Sequence, residues 1–294
     1  MRIVSFLPAG TEIVSALGGG SELLGRSHEC DYPAEVSALP VVSRPALQLA
    51  GMRPQEVDRA VADRLRSGDS LYEVDEVLLR QLSPEVILTQ DLCQVCAPSG
   101  NELSRALREL PGEPKVLRLT PQHLEQIYDN ILEVGDAIGR RAAAEALVAQ
   151  NRARIAEVAK AVRGARVPRV AFLEWVEPVF CGGHWVPEMI ALAGGKDPLG
   201  KPGADSIRMS LGEVLETAPE IVIVAPCGYR LEEATKLARD LPSISNAMVY
   251  AVDANAYFAR PGPRVAEGVE LLAHLFHPGR FAWPHPSRPW AEID

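Results

Sequence analysis

The sequence predicts an α/β protein of two Rossmann-like lobes that are joined by a long backbone α-helix, with a ligand cleft between the lobes. Strand and helix patterns alternate over residues 1–120 and again over residues 164–294, which favours a mostly parallel sheet in each part. Residues 121–163 carry helical periodicity and no strand pattern. We therefore expect an N-terminal lobe over residues 1–120, a helical segment over residues 121–163 and a C-terminal lobe over residues 164–294.

In the N-terminal lobe, short apolar runs predict strands, and apolar residues three or four positions apart predict helices. The predicted strands cover residues 2–7, 23–27, 86–89 and 116–119. The predicted helices cover residues 11–17, 57–65 and 71–82, and Thr11 is the expected cap of the first.

The middle stretch has two interpretations. A continuous helix over residues 121–163 would span about 60 Å, which is longer than one small domain is wide. Gly135 and Gly139 are positions where it would kink or divide into two helices. It is therefore either a helical pair packed on one sheet or a rigid helix that bridges two lobes.

The C-terminal lobe repeats the alternation. Its predicted strands cover residues 169–173, 221–225 and 249–252, and its predicted helices cover residues 187–193, 231–241 and 264–276. Residues 76–88 and 213–223 each read as a helix, a short proline turn and a buried strand. This internal similarity favours two lobes of similar design.

Composition excludes several classes of protein. The chain has 294 residues, is 47% hydrophobic and 23% charged, and carries a formal charge of −9. This is a globular composition, and the acidic balance argues against nucleic acid as a partner, because such binding depends on neutralising phosphates. No segment approaches the roughly 20 apolar residues of a membrane span, so we expect no membrane insertion.

The N-terminal residues bear on cellular location. A secretory signal needs an unbroken apolar core, and here Pro8, Thr11 and Glu12 interrupt the apolar run. We expect a cytoplasmic protein as the sequence stands, or a periplasmic or otherwise extracytoplasmic one if a signal peptide was trimmed. Five cysteines, including a Cys-x-x-Cys, also suit a reducing compartment.

Chemically distinctive residues follow the predicted strands. In open α/β sheets, ligands bind at the carboxyl ends of the strands. The residues at these positions are His28, Glu29, Cys30, Asp31, Tyr32, Asp91, Cys93, Cys96, Trp175, Cys181, His184, Trp185, Cys227, Tyr229, Arg230, Tyr257, Phe258 and Arg260. All five cysteines belong to this set, which indicates a functional cleft.

The residue types suggest a large planar ligand. Trp175, Trp185, Tyr257 and Phe258 offer flat apolar area, and Arg260 can pair with carboxylate, phosphate or amide oxygen. Each tryptophan is as readily explained as core of its lobe.

A second interpretation uses the cysteines and histidines as metal ligands, since His28 and His184 can coordinate a metal or donate hydrogen bonds. A closed zinc site needs four Cys or His ligands, often as two close pairs. Cys93-x-x-Cys96 is one pair, and Cys181-x-x-His184 is the other candidate, with Cys30 and Cys227 nearby in the set. Zinc, iron or an iron–sulfur group would fit. A cysteine-dependent enzyme is a weaker alternative, because no base–nucleophile pair can be assigned.

The chain also resembles a known family. Residues 2–12 (RIVSFLPAGTE), residues 25–33 (GRSHECDYP) and residues 260–264 (RPGPR) are similar, in order, to cobalamin-binding substrate-binding proteins of ABC transporters. This resemblance covers nearly the whole chain. It implies two α/β lobes joined by one long helix and a metal chelate bound in the cleft, which assigns residues 121–163 to the bridging helix.

The resemblance also implies roles for residues. Arg260 matches a cleft arginine that contacts the polar periphery of the corrin, and Trp175 and Tyr257 match aromatic residues against the ligand. Glu29, Asp31 and Tyr32 fall in a loop below the edge of the ligand. The expected function is thus a non-catalytic receptor for cobalamin, another corrinoid or a related metal chelate, with no required cofactor.

The departures from the family pattern concern the partner and the cysteines. Relatives dock on an ABC permease through a glutamate at the tip of each lobe. Glu76 and Glu213 lie nearby, but at unequal distances from Pro84 and Pro219. The cysteines are not part of the periplasmic corrinoid pattern, and the chain resembles a signal-less subgroup of the family with Cys-rich loops.

Overall fold

The computed structural model describes residues 1–294 apart from 50, 68, 91–105, 108, 109, 111, 243, 245 and 294. The described chain divides into two units. Unit 1 comprises residues 1–121 and 125–149, and unit 2 comprises residues 122–124 and 150–294. Each unit contains a six-stranded sheet with flanking helices. These two α/β units confirm the predicted fold class.

The sheet of unit 1 is mostly parallel. Its strands are β1 (Ile3–Ser5), β2 (Leu23–Ser27), β3 (Val41–Pro45), β4 (Tyr72–Val74), β5 (Val86–Thr89) and β6 (Lys115–Arg118). They lie in the order β4-β3-β2-β1-β5-β6, and β3 with β4 is the antiparallel pair. Every residue of the central strands β1 and β5 is buried, as expected where a parallel sheet is covered on both faces.

The helices associated with unit 1 are α1 (Pro8–Ala16), α2 (Pro54–Arg66), α3 (Glu76–Leu82) and α4 (Leu124–Ala137), followed by the first part of α5 (Arg141–Ala161). Two short 3-10 turns lie at Gly20–Glu22 and Ala34–Ala38. Part of the core is formed by Val4 of β1, Ile87 of β5 and Phe6 directly after β1, together with Leu79 from α3. Apolar burial therefore holds helix against sheet in this unit.

Two predictions for unit 1 are wrong. The first helix begins at Pro8, because proline fixes a helical φ and its missing N–H costs nothing at the first turn. Thr11 therefore lies inside α1 and does not cap it. Residues 71–82 are not one helix, because the Asp75 side chain accepts a hydrogen bond from the Leu78 N–H at 2.9 Å and starts α3 there. The residues before Asp75 form the edge strand β4.

Unit 2 has a mixed sheet. Its strands are β7 (Val170–Val176), β8 (Val179–Cys181), β9 (Ile207–Met209), β10 (Ile221–Val224), β11 (Met248–Val252) and β12 (Trp290–Ile293). They lie in the order β12-β11-β10-β7-β8-β9. β7, β10 and β11 are parallel, whereas β8, β9 and β12 each pair antiparallel to a neighbour. The sequence does not predict β3, β8, β9 or β12, which are short and mostly lack a continuous apolar run.

The helices of unit 2 are α6 (Val186–Leu192), α7 (Leu211–Glu216), α8 (Leu231–Arg239), α9 (Ala254–Tyr257) and α10 (Val265–Phe276). Helix α10 is buried on almost every side. Its Glu270 carboxylate accepts two hydrogen bonds from the Arg154 guanidinium of α5, which offsets the cost of burying the charge. None of the helices in the described residues combines the length and apolarity needed to cross a membrane.

Residues 121–163 do not form one continuous helix. The chain leaves α4 at Ala137, passes through Gly139 at φ +69°, and enters α5 at Arg141. A left-handed residue ends a helix, and glycine adopts this conformation without steric cost. The stretch therefore divides into two helices near the predicted kink positions, and the single bridging helix expected over residues 121–163 is not continuous. Helix α5 includes residues of both units.

The packing of α4 on α5 requires glycine at position 135. A Cβ atom added there would lie 2.5 Å from the Ala144 Cβ, far inside van der Waals contact. We expect Gly135→Ala to destabilise the protein by about 1–3 kcal/mol through overpacking, despite the better helix propensity of alanine. Thermal or denaturant unfolding measures this change.

The exchange of the two side chains provides the matched control. The double variant Gly135→Ala/Ala144→Gly removes the Cβ atom that the new alanine would clash with and keeps the combined composition of the two helices. We therefore expect it to recover most of the lost stability. Gly20→Ala is a second control, because nothing lies within 4 Å of a Cβ added there. A single Gly135→Ala variant as stable as the wild type would contradict the close approach.

Candidate functional site

The candidate site of unit 2 lies where its parallel strands end. Trp175 is near the end of β7, residues 225–230 follow β10, and residues 253–260 follow β11. Since β7, β10 and β11 are adjacent and parallel, their carboxyl ends meet at one edge of the sheet. The fold thus brings three segments of the predicted site together.

Two aromatic side chains meet at this edge. The rings of Trp175 and Tyr229 lie 5.3 Å apart at 62°, an edge-to-face contact. Both residues are half-buried. The Trp175 Nε1–H donates to the Glu177 carbonyl at 3.2 Å, which restricts rotation of the indole. Burial, with a smaller effect of Glu233, raises the pKa of the Tyr229 phenol, so this residue stays a neutral hydrogen-bonding group. We refer to these two residues as the aromatic pair.

Asn255 connects the loop after β11 to the loop after β10. Its side-chain Oδ1 accepts the Gly228 N–H at 3.1 Å, and its backbone N–H donates to the Tyr229 carbonyl at 3.4 Å. Gly228 has φ +87°, so the tight turn before Tyr229 favours glycine. Sequence patterns place Asn255 after the strand but do not predict this connecting role, which depends on pairing between distant loops.

Three of the predicted aromatic ligand contacts lie in the interior. Trp185 is 5% exposed, and its Nε1–H donates to the Phe258 carbonyl at 3.0 Å. Phe258 is 2% exposed and packs edge-on against Phe172, with ring centroids 5.1 Å apart. Tyr257 is also buried, next to Trp283. Trp185 and Phe258 thus pack in the interior of unit 2, and their ligand contact stays a prediction.

Arg260 lies in the same connection after β11 and is only 7% exposed. Arginine is almost never this buried unless acceptors surround it, so the guanidinium is a specific feature of this region. Arg230, by contrast, is exposed at the start of α8, where its N–H donates to the Glu233 carboxylate at 3.0 Å. The two predicted arginines thus have different environments.

His184 adopts an unusual backbone conformation. Its φ is +52°, and it is held by hydrogen bonds from its N–H to the Ala204 carbonyl (2.7 Å) and from the Gly203 N–H to its carbonyl (2.9 Å). Its Nε2 lies 3.4 Å from the Asp205 carboxylate. Burial lowers the pKa of the imidazole, and Asp205 opposes this shift in part. The ring is therefore mainly neutral at neutral pH.

The predicted residues of unit 1 follow β2. The His28 ring is within hydrogen-bond distance of the Ser43 carbonyl through Nδ1 (3.2 Å), and its Nε2 lies 3.1 Å from the Glu29 carboxylate. Asp31 is half-buried, and Tyr32 is 48% exposed. Cys30 is buried and accepts a hydrogen bond at its Sγ from Thr11 Oγ1 at 3.0 Å. Asp91, Cys93 and Cys96 lie outside the described residues.

The described cysteines differ sharply in environment. Cys181 belongs to β8 and is fully buried, with its Sγ 3.5 Å from the Met209 Sδ. Burial raises the pKa of this thiol to about 12, and the negative charges of Asp197 and Glu174 add to the shift. Cys227 is exposed in the loop after β10.

These environments bear on the metal interpretation. The described part of the chain does not bring three His, Cys, Asp or Glu side chains together in a way that would hold a metal ion. Cys93 and Cys96 lie outside the described residues, so the predicted ligand pairs Cys93-x-x-Cys96 and Cys181-x-x-His184 stay predictions.

Comparison with known proteins adds to the geometry. A family model described as a periplasmic binding protein matches residues 3–255. An ABC transporter substrate-binding lipoprotein of Bacillus subtilis is 23% identical over 295 residues, covering 95% of this chain and 81% of the relative. The vitamin B12-binding protein of Photorhabdus laumondii is 23% identical over 278 residues, covering 92% and 86%.

Among solved structures, the fold is similar to the periplasmic heme-binding protein RhuT from Roseiflexus sp. RS-1 in its apo form. The TM-score is 0.67 at 22% identity, and the alignment covers 95% of this chain and 99% of the other. These similarities confirm the resemblance that the sequence motifs indicate.

The thiol environments lead to a testable order of reactivity. We expect Cys227 to react readily with iodoacetamide at mildly alkaline pH, and Cys181 to react only after unfolding, since the thiolate is the nucleophile. Peptide-level mass spectrometry of protein alkylated with and without denaturant measures both. Cys227→Ser is the control that removes the fast site, and rapid labelling of Cys181 in the native protein would contradict its buried environment.

Proposed function

Because this chain belongs to the periplasmic binding protein family, we propose that it is a non-catalytic receptor that binds cobalamin or a related corrinoid. Members of the family bind small molecules for transport rather than transform them. The corrinoid is the more specific part of the proposal. It is supported by the sequence motifs, by the vitamin B12-binding relative and by the residues at the carboxyl edge of the unit 2 sheet.

The aromatic pair carries this proposal. A corrin ring is large, flat and mostly apolar on its faces, and aromatic side chains supply matching area at low conformational cost. Trp175 and Tyr229 are half-buried. The Trp175 indole N–H donates to the Glu177 carbonyl, and the Tyr229 carbonyl accepts the backbone N–H of Asn255, so part of this surface is ordered before a ligand covers it.

Arg260 would supply the polar part of recognition. The corrin periphery carries amide oxygens, and a guanidinium offers five donors in a fixed plane. The residue follows α9 in the connection that holds Asn255. We propose that this side chain pairs with the edge of the macrocycle while the aromatic pair contacts a face.

Heme is the competing ligand. The heme-binding protein from Roseiflexus shares the fold, and heme is also a flat metal chelate. Its periphery differs, since it ends in carboxylates where the corrin carries amides. The titration below therefore uses both molecules.

An ABC permease is the proposed partner. Glu76 begins α3 of unit 1, and Glu213 lies in the first turn of α7 of unit 2. Hydrogen bonds from the backbone N–H and hydroxyl of Ser210 lower the pKa of the Glu213 carboxyl and keep it charged. Val77 and Leu215 are exposed apolar residues on the same two helices. We propose that the acidic and apolar residues on α3 and α7 contact the permease.

Location follows from the same proposal. The relative from Bacillus subtilis is a lipoprotein, and a receptor that serves a permease acts outside the cytoplasm. Of the two locations that the sequence predicts, we therefore favour one outside the cytoplasm.

The two other hypotheses have less support. A cysteine-dependent enzyme needs an activated thiolate, and burial of Cys181 raises the pKa of its thiol instead. A metal-binding receptor remains a proposal for Cys93 and Cys96 with zinc or iron. Elemental analysis of protein purified without chelator tests it, and metal below about one tenth per chain would count against it.

Ligand binding is tested by titration of the purified protein with cobalamin and, separately, with hemin. We expect cobalamin to quench tryptophan fluorescence and to give a saturable calorimetric signal. Trp175→Ala should weaken Kd about tenfold or more, because it removes the larger member of the aromatic pair. Trp175→Phe retains a ring and should lose much less.

Val214→Ala is the control, since Val214 is a fully buried residue of unit 2 on α7 that belongs neither to the aromatic pair nor to the loops around it. Absence of cobalamin binding at high-micromolar ligand would overturn the corrinoid proposal. Saturable binding of hemin alone, weakened by the same Trp175→Ala change, would reassign the site to heme.

A further inference from the structure

The chain continues beyond α10 into a segment that returns to the sheet. We call residues 277–293 the C-terminal tail. It leaves α10 at His277, whose Nε2 lies 3.2 Å from the Gly194 carbonyl oxygen, and it ends in β12. β12 pairs antiparallel with β11, so that Val252 lies opposite Trp290. The region that matches the family ends at residue 255, before this tail.

The tail contacts the connection between β11 and α10. The Asp253 N–H donates to the Pro289 carbonyl at 3.0 Å. The Trp283 ring packs edge-to-face on Tyr257 with centroids 6.0 Å apart, and Ser287 hydrogen-bonds the Tyr257 hydroxyl. The tail thus covers both ends of α9, the short helix that carries Asn255.

The tail is also attached to the helices behind it. His285 Nε2 lies 2.9 Å from the Glu270 carboxylate and 2.9 Å from an Arg154 guanidinium nitrogen. The His285 ring stacks against Trp283 with centroids 4.5 Å apart. Trp283 is therefore held between α9 on one side and a charged network of α5 and α10 on the other.

A continuous set of contacts runs from the tail to the aromatic pair. Trp283 packs on Tyr257 in α9, Asn255 in α9 hydrogen-bonds Gly228 and Tyr229, and Tyr229 contacts Trp175. Every contact in this set lies within unit 2. No residue of the tail belongs to the aromatic pair itself.

We infer that the C-terminal tail positions the ligand-binding loops of unit 2, with Trp283 as the positioning residue that fixes α9 and, through Asn255, the aromatic pair. The inference rests on the proposed function for its effect on ligand affinity. Independently of any ligand, the inference says that the tail keeps residues 226–230 and 253–260 conformationally ordered. A short helix of four residues has little stability of its own, so packing from the tail decides whether it stays ordered.

The test compares Trp283→Ala with Trp283→Phe in the full-length protein by hydrogen–deuterium exchange without ligand. We expect Trp283→Ala to raise amide exchange about tenfold in residues 226–230 and 253–260, and Trp283→Phe to restore most of the protection. Cobalamin titration of the same variants should show Kd weakened about five- to tenfold by alanine and nearly unchanged by phenylalanine.

Val214→Ala is the matched control for a general loss of stability. Val214 is fully buried in unit 2 on α7, away from this set of contacts. This variant should lower the unfolding temperature without changing exchange in the two loop segments. If Trp283→Ala does not fold, Trp283→Leu keeps apolar volume without an aromatic ring and gives the same readout.

The outcomes separate the two proposals. Unchanged exchange in the loops of Trp283→Ala would overturn the positioning role, and so would faster exchange with an unaltered Kd. If the wild-type protein binds no cobalamin, the proposed function fails, while the exchange measurement still decides whether the tail orders the loops.

Discussion

Parallel pairing of β7, β10 and β11 is the constraint on which the candidate site depends. The register places Leu173 beside Val224, and Val224 beside Ala251, so the three strands end at one edge. Every residue of β10 is buried, and a shift in register would leave apolar side chains without their packing partners. The loops that follow these three strands, although far apart in sequence, therefore lie at the same edge of the sheet.

Hydrogen bonds between the loops then fix the backbone at this edge of the sheet. The Asn255 side chain accepts the Gly228 N–H, and the Asn255 backbone N–H donates to the Tyr229 carbonyl, so the two loops are joined at this edge. The C-terminal tail contacts the same connection through Trp283, which packs on Tyr257 of α9. A receptor benefits from such prior order, because less entropy is lost when the ligand binds.

Burial decides the chemistry of the cysteines. Cys30 accepts a hydrogen bond in the interior of unit 1, Cys181 is enclosed in the sheet of unit 2, and Cys227 is exposed. The same residue type thus appears in three environments, and burial suppresses the thiolate form of Cys181.

The sequence by itself determined the alternation of strands and helices, the two-lobe fold class and the family, because buried parallel strands are continuous apolar runs that are visible in the residues. It located the loop residues Trp175, Tyr229 and Arg260 by the same reasoning. Only the tertiary structure decided which side chains meet: pairing across the sheet buried Trp185 and brought Asn255 to Tyr229. These contacts join residues far apart in the chain, and no local pattern encodes the register that aligns them.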